Sequence, residues 1–130
     1  MAKNVFGTDL IVCSSDPITG FFRTGKCETC GDDAGMHTVC VETTAEFLEF
    51  SRVAGNDLST PRPEYQFPGL QPGDRWCVCL PRWIEALESG VAPKLLLKAT
   101  HMSVIEHVSM EILLQYGLDA DDYVPDDPQD

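Results

Sequence analysis

Between Gly55 and Asp74 four prolines, Pro61, Pro63, Pro68 and Pro72, alternate with Gly69 and Gly73. Proline lacks an amide donor and fixes its own φ, so neither a long helix nor an inner strand can run through this stretch. It predicts one long, stiff loop, with short elements on either side. A length of 130 residues suits one ordinary domain, which buries roughly two thirds of its unfolded surface and needs no staples to fold.

The helix signals are short. Thr43 and Glu46 stand three apart ahead of Phe47, Leu48 and Phe50, the pattern of a capping box, and Gly55 offers a stop. Pro81 opens a second segment with Trp83, Ile84 and Leu87 on one side and Gly90 beyond Ser89. A third spans Met110 to Tyr116, capped by Ser109 and closed by Gly117 in a left-handed conformation. Strands are expected at His37 to Glu42, Trp76 to Leu80, Leu95 to Ala99 and Val104 to Val108, with Leu10 to Cys13 as a further candidate. Helices and strands are interspersed without the glycine-rich crossovers of a doubly wound sheet. The expected class is α+β: a single small domain with a short mixed or antiparallel sheet, about three short helices and long loops. The domain is expected over residues 1–118, followed by an acidic, disordered tail over 119–130.

Net charge is -12, but the tail supplies six of the 21 acids, leaving 15 against nine bases in the body. An acidic body repels phosphate backbones, which argues against nucleic acid as a partner. There is no apolar run long enough for a membrane span, and the first residues lack the apolar core of a signal peptide, so the expected compartment is the cytoplasm. A reducing cytoplasm in turn makes structural disulfides among the six cysteines an unexpected outcome.

Cys27, Cys30, His37 and Cys40 fall within a 14-residue stretch and offer four zinc ligands, and Cys77 and Cys79 offer two more. Against zinc, a knuckle-like spacing would put histidine where this chain has Gly35. The alternative is packing: Cys40 in a strand, Cys27 and Cys30 as loop thiols, and Cys77 and Cys79 as small apolar groups on one strand face. Gly31, Asp32, Asp33 and Gly35 follow Cys30 where a redox motif would need a helix start, so a reactive CxxC pair is not expected. GFFRTGKC, from Gly20 to Cys27, is one residue short of a phosphate-binding loop and lacks its strand and helix context.

The proline-rich loop gathers polar groups. Asp57, Arg62, Glu64, Asp74 and Arg75, with His37 or His101 at nearby strand ends, are the candidate ligand-binding residues. The competing role is a cover in which Tyr65, Phe67 and Leu70 seal the core while the charges pair locally.

Several strings carry a family resemblance: NVFGT, CSSDPITGFFRTG, MHTVC, EFLEFSRVAGNDLSTPRPEY, FPGLQPGDRWCVC, RW and ATH. From Asn4 to about Tyr116 the chain resembles the bacterial domain-of-unknown-function family DUF2237. The resemblance implies no activity, substrate or cofactor. The family pattern often has Gly where this chain has Cys30, so a family site would draw instead on Cys13, Cys27, His37, Cys40, Cys77, Cys79 and His101. Three functions follow as expectations. The first is a small-molecule-binding or enzymatic site on loop 55–76. The alternatives are a zinc-stabilised binding module and a protein-interaction adaptor with an apolar patch around Phe21, Phe22 or Tyr65.

Overall fold

A computed structural model describes residues 2–16, 18–65 and 67–123. Its centre is a three-stranded antiparallel sheet in the order β2-β1-β3: β1 is Val39–Glu42, β2 Arg75–Val78 and β3 Lys94–Leu95. The register places Val39 opposite Val78, Cys40 opposite Cys77 and Val41 opposite Trp76, while Val41 also faces Leu95 across β3. Side chains alternate across a strand, so this register sorts the chemistry of the two faces. Val39, Val41, Trp76, Val78 and Leu95 join the apolar core with Phe47, Trp83, Leu97 and Leu113. Cys40 and Cys77 point the other way, into a second buried cluster with Cys13, Cys27 and Ala99.

Three helices, α1 (Ala45–Val53), α2 (Leu80–Glu88) and α3 (Met110–Tyr116), complete a small α+β domain. Helix α1 buries Phe47, Leu48 and Ser51, but its cap is Thr44, whose hydroxyl accepts the Phe47 amide at 3.1 Å. Thr43 is buried instead and donates to the carbonyls of Gln71 and Asp74, tying the helix start to the long loop. Helix α2 starts at Leu80, with Pro81 in its first turn, where a missing amide costs nothing. Its Trp83 is fully buried, donates its indole N–H to the Pro93 carbonyl at 3.2 Å and meets Tyr116 edge to face. Helix α3 has the expected bounds and Ser109 cap. Gly117 is not left-handed, since its φ is -78°. A side chain there would collide with Leu97, so close approach, rather than a turn, is what the position requires.

The strand expectations hold only near the centre. The segment from Leu95 to Ala99 leaves the sheet after Leu95 and becomes a 3-10 turn over Leu97–Ala99, while 104–108 lies largely in a 3-10 turn over Met102–Glu106. Val104 and Val108 are both buried, a spacing of four that suits a helical turn better than the alternation of a strand. Leu10 to Cys13 forms no strand; its ends are buried and the Cys13 amide donates to the Gly25 carbonyl at 2.7 Å.

Asp119 to Tyr123, read from the sequence as tail, make contacts with the domain. The Asp119 carboxylate accepts the amides of Leu97 (2.7 Å) and Lys98 (2.9 Å), Asp122 pairs with Lys98 at 2.9 Å, and Tyr123 lies against Phe6. Residues 124–130 lie outside the described residues. Among the described residues no helix is long and apolar enough to cross a membrane.

Removing the Asp119 carboxylate leaves two main-chain donors without their acceptor. Asp119→Ala should therefore lower the unfolding free energy by roughly 1.5–3 kcal/mol in urea denaturation, and an unchanged midpoint would return this aspartate to a solvated tail.

Candidate functional site

The site grows from the loop between Cys27 and β1. Cys27 is bonded to Cys77 of β2, with Cα atoms 5.3 Å apart, so the loop is anchored beside the strand from which α2 departs. Turns follow in close order: the Asp33 amide donates to the Cys30 carbonyl at 3.0 Å and the Met36 amide to the Asp33 carbonyl at 3.1 Å. Met36 has a φ of 52°, a left-handed conformation costly for a residue with a side chain. In that geometry its carbonyl accepts two amides, from Thr38 at 2.7 Å and from Leu80 at 2.9 Å. The second bond docks the start of α2 onto the loop and brings Cys79 beside His37.

A chain of three side chains results. The Asp33 side chain is fully buried; one oxygen lies 2.7 Å from His37 Nδ1, and the other accepts the His37 amide at 2.9 Å and the Thr29 hydroxyl at 3.1 Å. Ionised Asp33 can only accept, so Nδ1 carries a proton and Nε2 faces the sulfur of Cys79, 3.3 Å away. Gly35 leaves room for this approach, because a Cβ there would lie 3.1 Å from both the Cys79 sulfur and His37 Cε1. The hydrogen bond with Cys79 raises the His37 pKa; burial opposes it, Asp33 reinforces it, and the value is pushed up to about 9. Burial pushes Asp33 upward, but its hydrogen bonds from His37 and Thr29 outweigh that and hold the carboxyl below its ordinary value. Cys79 is one of two free cysteines and stands at the N-cap of α2, where the helix dipole favours negative charge.

His37 also opens onto a cleft of about 310 Å³, whose walls include Phe21, Arg23, Leu58, Arg62, Phe67 and Trp76. A crevice of about 40 Å³ is lined by His37, Asn56, Trp76 and Cys79. The imidazole thus lines both a cleft of metabolite size and the crevice that holds the thiol.

Four of the six cysteines are paired, against expectation: Cys13 with Cys40 and Cys27 with Cys77. The partners are 27 and 50 residues apart, so only the assembled fold brings them together. The zinc set read from the sequence is dispersed accordingly. Cys30 is exposed, His37 is bonded to Asp33 and Cys79, and Cys77 and Cys79 part because the strand ends at Val78. The sulfurs of Cys13, Cys27 and Cys77 nevertheless lie within 4.8 Å of one another. Reduced, such a buried group could hold a soft metal ion; paired as cystines, it has no thiolate to offer.

The polar residues of the long loop do not converge. Asp57 accepts the amides of Ser59 and Thr60 and shapes a turn, while Asp74 accepts the Gln71 amide. Arg75 pairs with Glu42 at 3.5 Å, and Glu64 lies 3.9 Å from Arg62. His101 accepts the Ser103 amide and lies 2.9 Å from the Ser103 hydroxyl, and burial lowers its pKa. Of the seven candidates only Arg62 and His37 reach the cleft. Phe67 and Leu70 are buried, which gives the loop its covering role as well. Sequence reasoning missed Asp33, reading it only as one of the residues that stand where a redox motif would need a helix start. Its spacing of four from His37 was the available signal.

The fold and this site describe a small α+β domain with a thiol, an imidazole and a carboxylate in series beside a cleft. The chain belongs to the DUF2237 family, described as an uncharacterized protein conserved in bacteria, whose model matches residues 3–117. No curated protein matches it.

A thiol count should find two free thiols in the native chain, Cys30 and Cys79, and four more only after reduction. Six free thiols, four of them released by a zinc chelator, would instead assign the buried sulfurs to a metal. A second expectation concerns pH. A His37 pKa raised from 6.5 to about 9 adds stability that is fully present below about 6.5 and is lost as pH climbs through about 9. Denaturation midpoints of the native chain should therefore fall across that interval more steeply than those of His37→Gln, and parallel profiles would refute the assignment.

Proposed function

We propose that this protein is a cysteine-dependent enzyme that acts on small carbonyl compounds by acyl transfer to Cys79. The observation that carries the reading is the hydrogen-bonded series of Cys79, His37 and Asp33 opening beside a cleft. Such a series supplies what a thiol nucleophile needs: a base within reach of the sulfur proton and an anchor that fixes the base's tautomer.

The roles follow from the geometry. With the shared proton held on His37 Nε2, as its raised pKa favours, the sulfur attacks the carbonyl carbon, forming a C–S bond as the C=O electrons move onto oxygen. Collapse of that adduct restores the carbonyl and expels the leaving group, which takes the proton from His37. Water then gives a proton to His37 and attacks the thioester, the C–S bond breaks, and the carboxylic acid leaves as the sulfur returns to its pairing with protonated His37. Asp33 stays ionised throughout and holds the imidazole against the charge it acquires. The long loop retains a part in this scheme, since it supplies the Leu58, Arg62 and Phe67 walls of the cleft.

The test uses Cys30→Ser, which leaves Cys79 as the free thiol, with iodoacetamide and a panel of small aryl esters and thioesters. Cys79 should be alkylated faster than Cys30 is in the wild type and should accumulate an acyl mass when hydrolysis is slow. His37→Ala should lower turnover by about 10²–10⁴-fold, the ordinary contribution of a general base, and Cys79→Ser should abolish it. A Cys79 that reacts no faster than Cys30, with no hydrolysis across the panel, would refute the reading.

A further inference from the structure

The chain is strongly acidic, with 21 acids against nine bases, yet among the described residues the cleft beside His37 is lined by two arginines and no carboxylate. Neither arginine is neutralised by a close partner. Arg23 follows the turn closed by its own amide on the Gly20 carbonyl at 3.0 Å, has a left-handed φ of 55° and makes no ion pair among the described residues. Its guanidinium lies 5.2 Å from the Trp76 ring centre, a cation–π contact that orients the group without cancelling its charge. Arg62 is held by reciprocal main-chain bonds with Phe67, of 2.7 and 3.0 Å. Glu64 lies 3.9 Å away, and both side chains are more than half exposed, so solvent screens the pair. Between these cations the wall is apolar, formed by Leu58, Phe67 and Trp76. A volume of about 310 Å³ is at the small end of ligand pockets and suits a metabolite.

Building on the Cys79 reading, we infer that the substrate carries an anionic group, a carboxylate or a phosphate ester, joined through a short apolar segment to the carbonyl that Cys79 attacks. Arg23 and Arg62 receive the anion, and the aromatic wall holds the apolar segment.

The test compares two alkylating probes of nearly the same shape, iodoacetate and iodoacetamide, on full-length Cys30→Ser protein, with the mass of the Cys79 adduct followed in time. A cationic cleft should make iodoacetate faster by about tenfold at low salt, an advantage that shrinks as salt is raised. Arg23→Gln and Arg62→Gln should each reduce the ratio, and together abolish it, while the iodoacetamide rate stays within about twofold. If a variant fails to fold, the rate ratio of the parent and its salt dependence still decide. A Cys79 that reacts readily with iodoacetamide but no faster with iodoacetate overturns this inference and leaves the thiol reading intact. A Cys79 slow to both probes overturns the thiol reading, and this inference with it. Protection of Cys79 from iodoacetamide by benzoate or by phenyl phosphate then separates the two anion chemistries, and protection by neither overturns the inference.

Discussion

The bond between Cys27 and Cys77 ties together segments that no secondary structure connects. On one side is the irregular loop carrying Asp33 and His37; on the other is β2, which ends one residue before Cys79. In the chain-entropy description, closing loops of 27 and 50 residues stabilises the fold by roughly 3–4 kcal/mol for each bond. Both bonds lie on the sheet face opposite the apolar core, where Cys40 and Cys77 sit side by side in register. One face of the sheet is thus held by burial of hydrocarbon and the other by covalent cross-links. The loop with Asp33 and His37 is tied to the cross-linked side through Cys27.

Much of this was legible wherever a residue type admits few conformations. The prolines from Pro61 to Pro72 did produce a loop, Ser109 does cap α3, and Trp76 and Trp83 are core residues. Legibility fails where neighbours decide. Thr43 and Thr44 are chemically equivalent caps, and the choice fell to Thr44 because Thr43 finds acceptors in the distant loop. Leu97 to Ala99 reads as strand until Asp119 arrives from more than twenty residues away to bond its amides. The cysteines are the clearest case, since spacing can suggest local ligand sets but not which sulfurs the sheet register will bring into contact. Asp33 was visible but read only as part of a turn, although its fixed position behind His37 matters more.

The proline-rich loop serves two ends. Phe67 packs on Trp76 at 5.1 Å between ring centres and helps close the core, and the same two rings form a wall of the cleft. Stability and recognition therefore share residues here. A loop braced by prolines keeps such a wall in place with little entropy left to lose when a ligand settles against it.

The way α2 begins has a consequence for the electrostatics of the site. Leu80 gives its amide to Met36, Pro81 has none, and the amides of Arg82 and Trp83 both turn back to the Cys79 carbonyl. The helix presents a dipole to the sulfur but no vacant main-chain donor, the reverse of sites that stabilise a nascent oxyanion with backbone N–H groups. Negative charge growing on a reacting oxygen must be met here by side chains, with the Asn56 amide in the Cys79 crevice and the cleft arginines at hand. Polarity carried by side chains can be retuned by single substitutions, so one backbone frame can accept different substrates without being rebuilt.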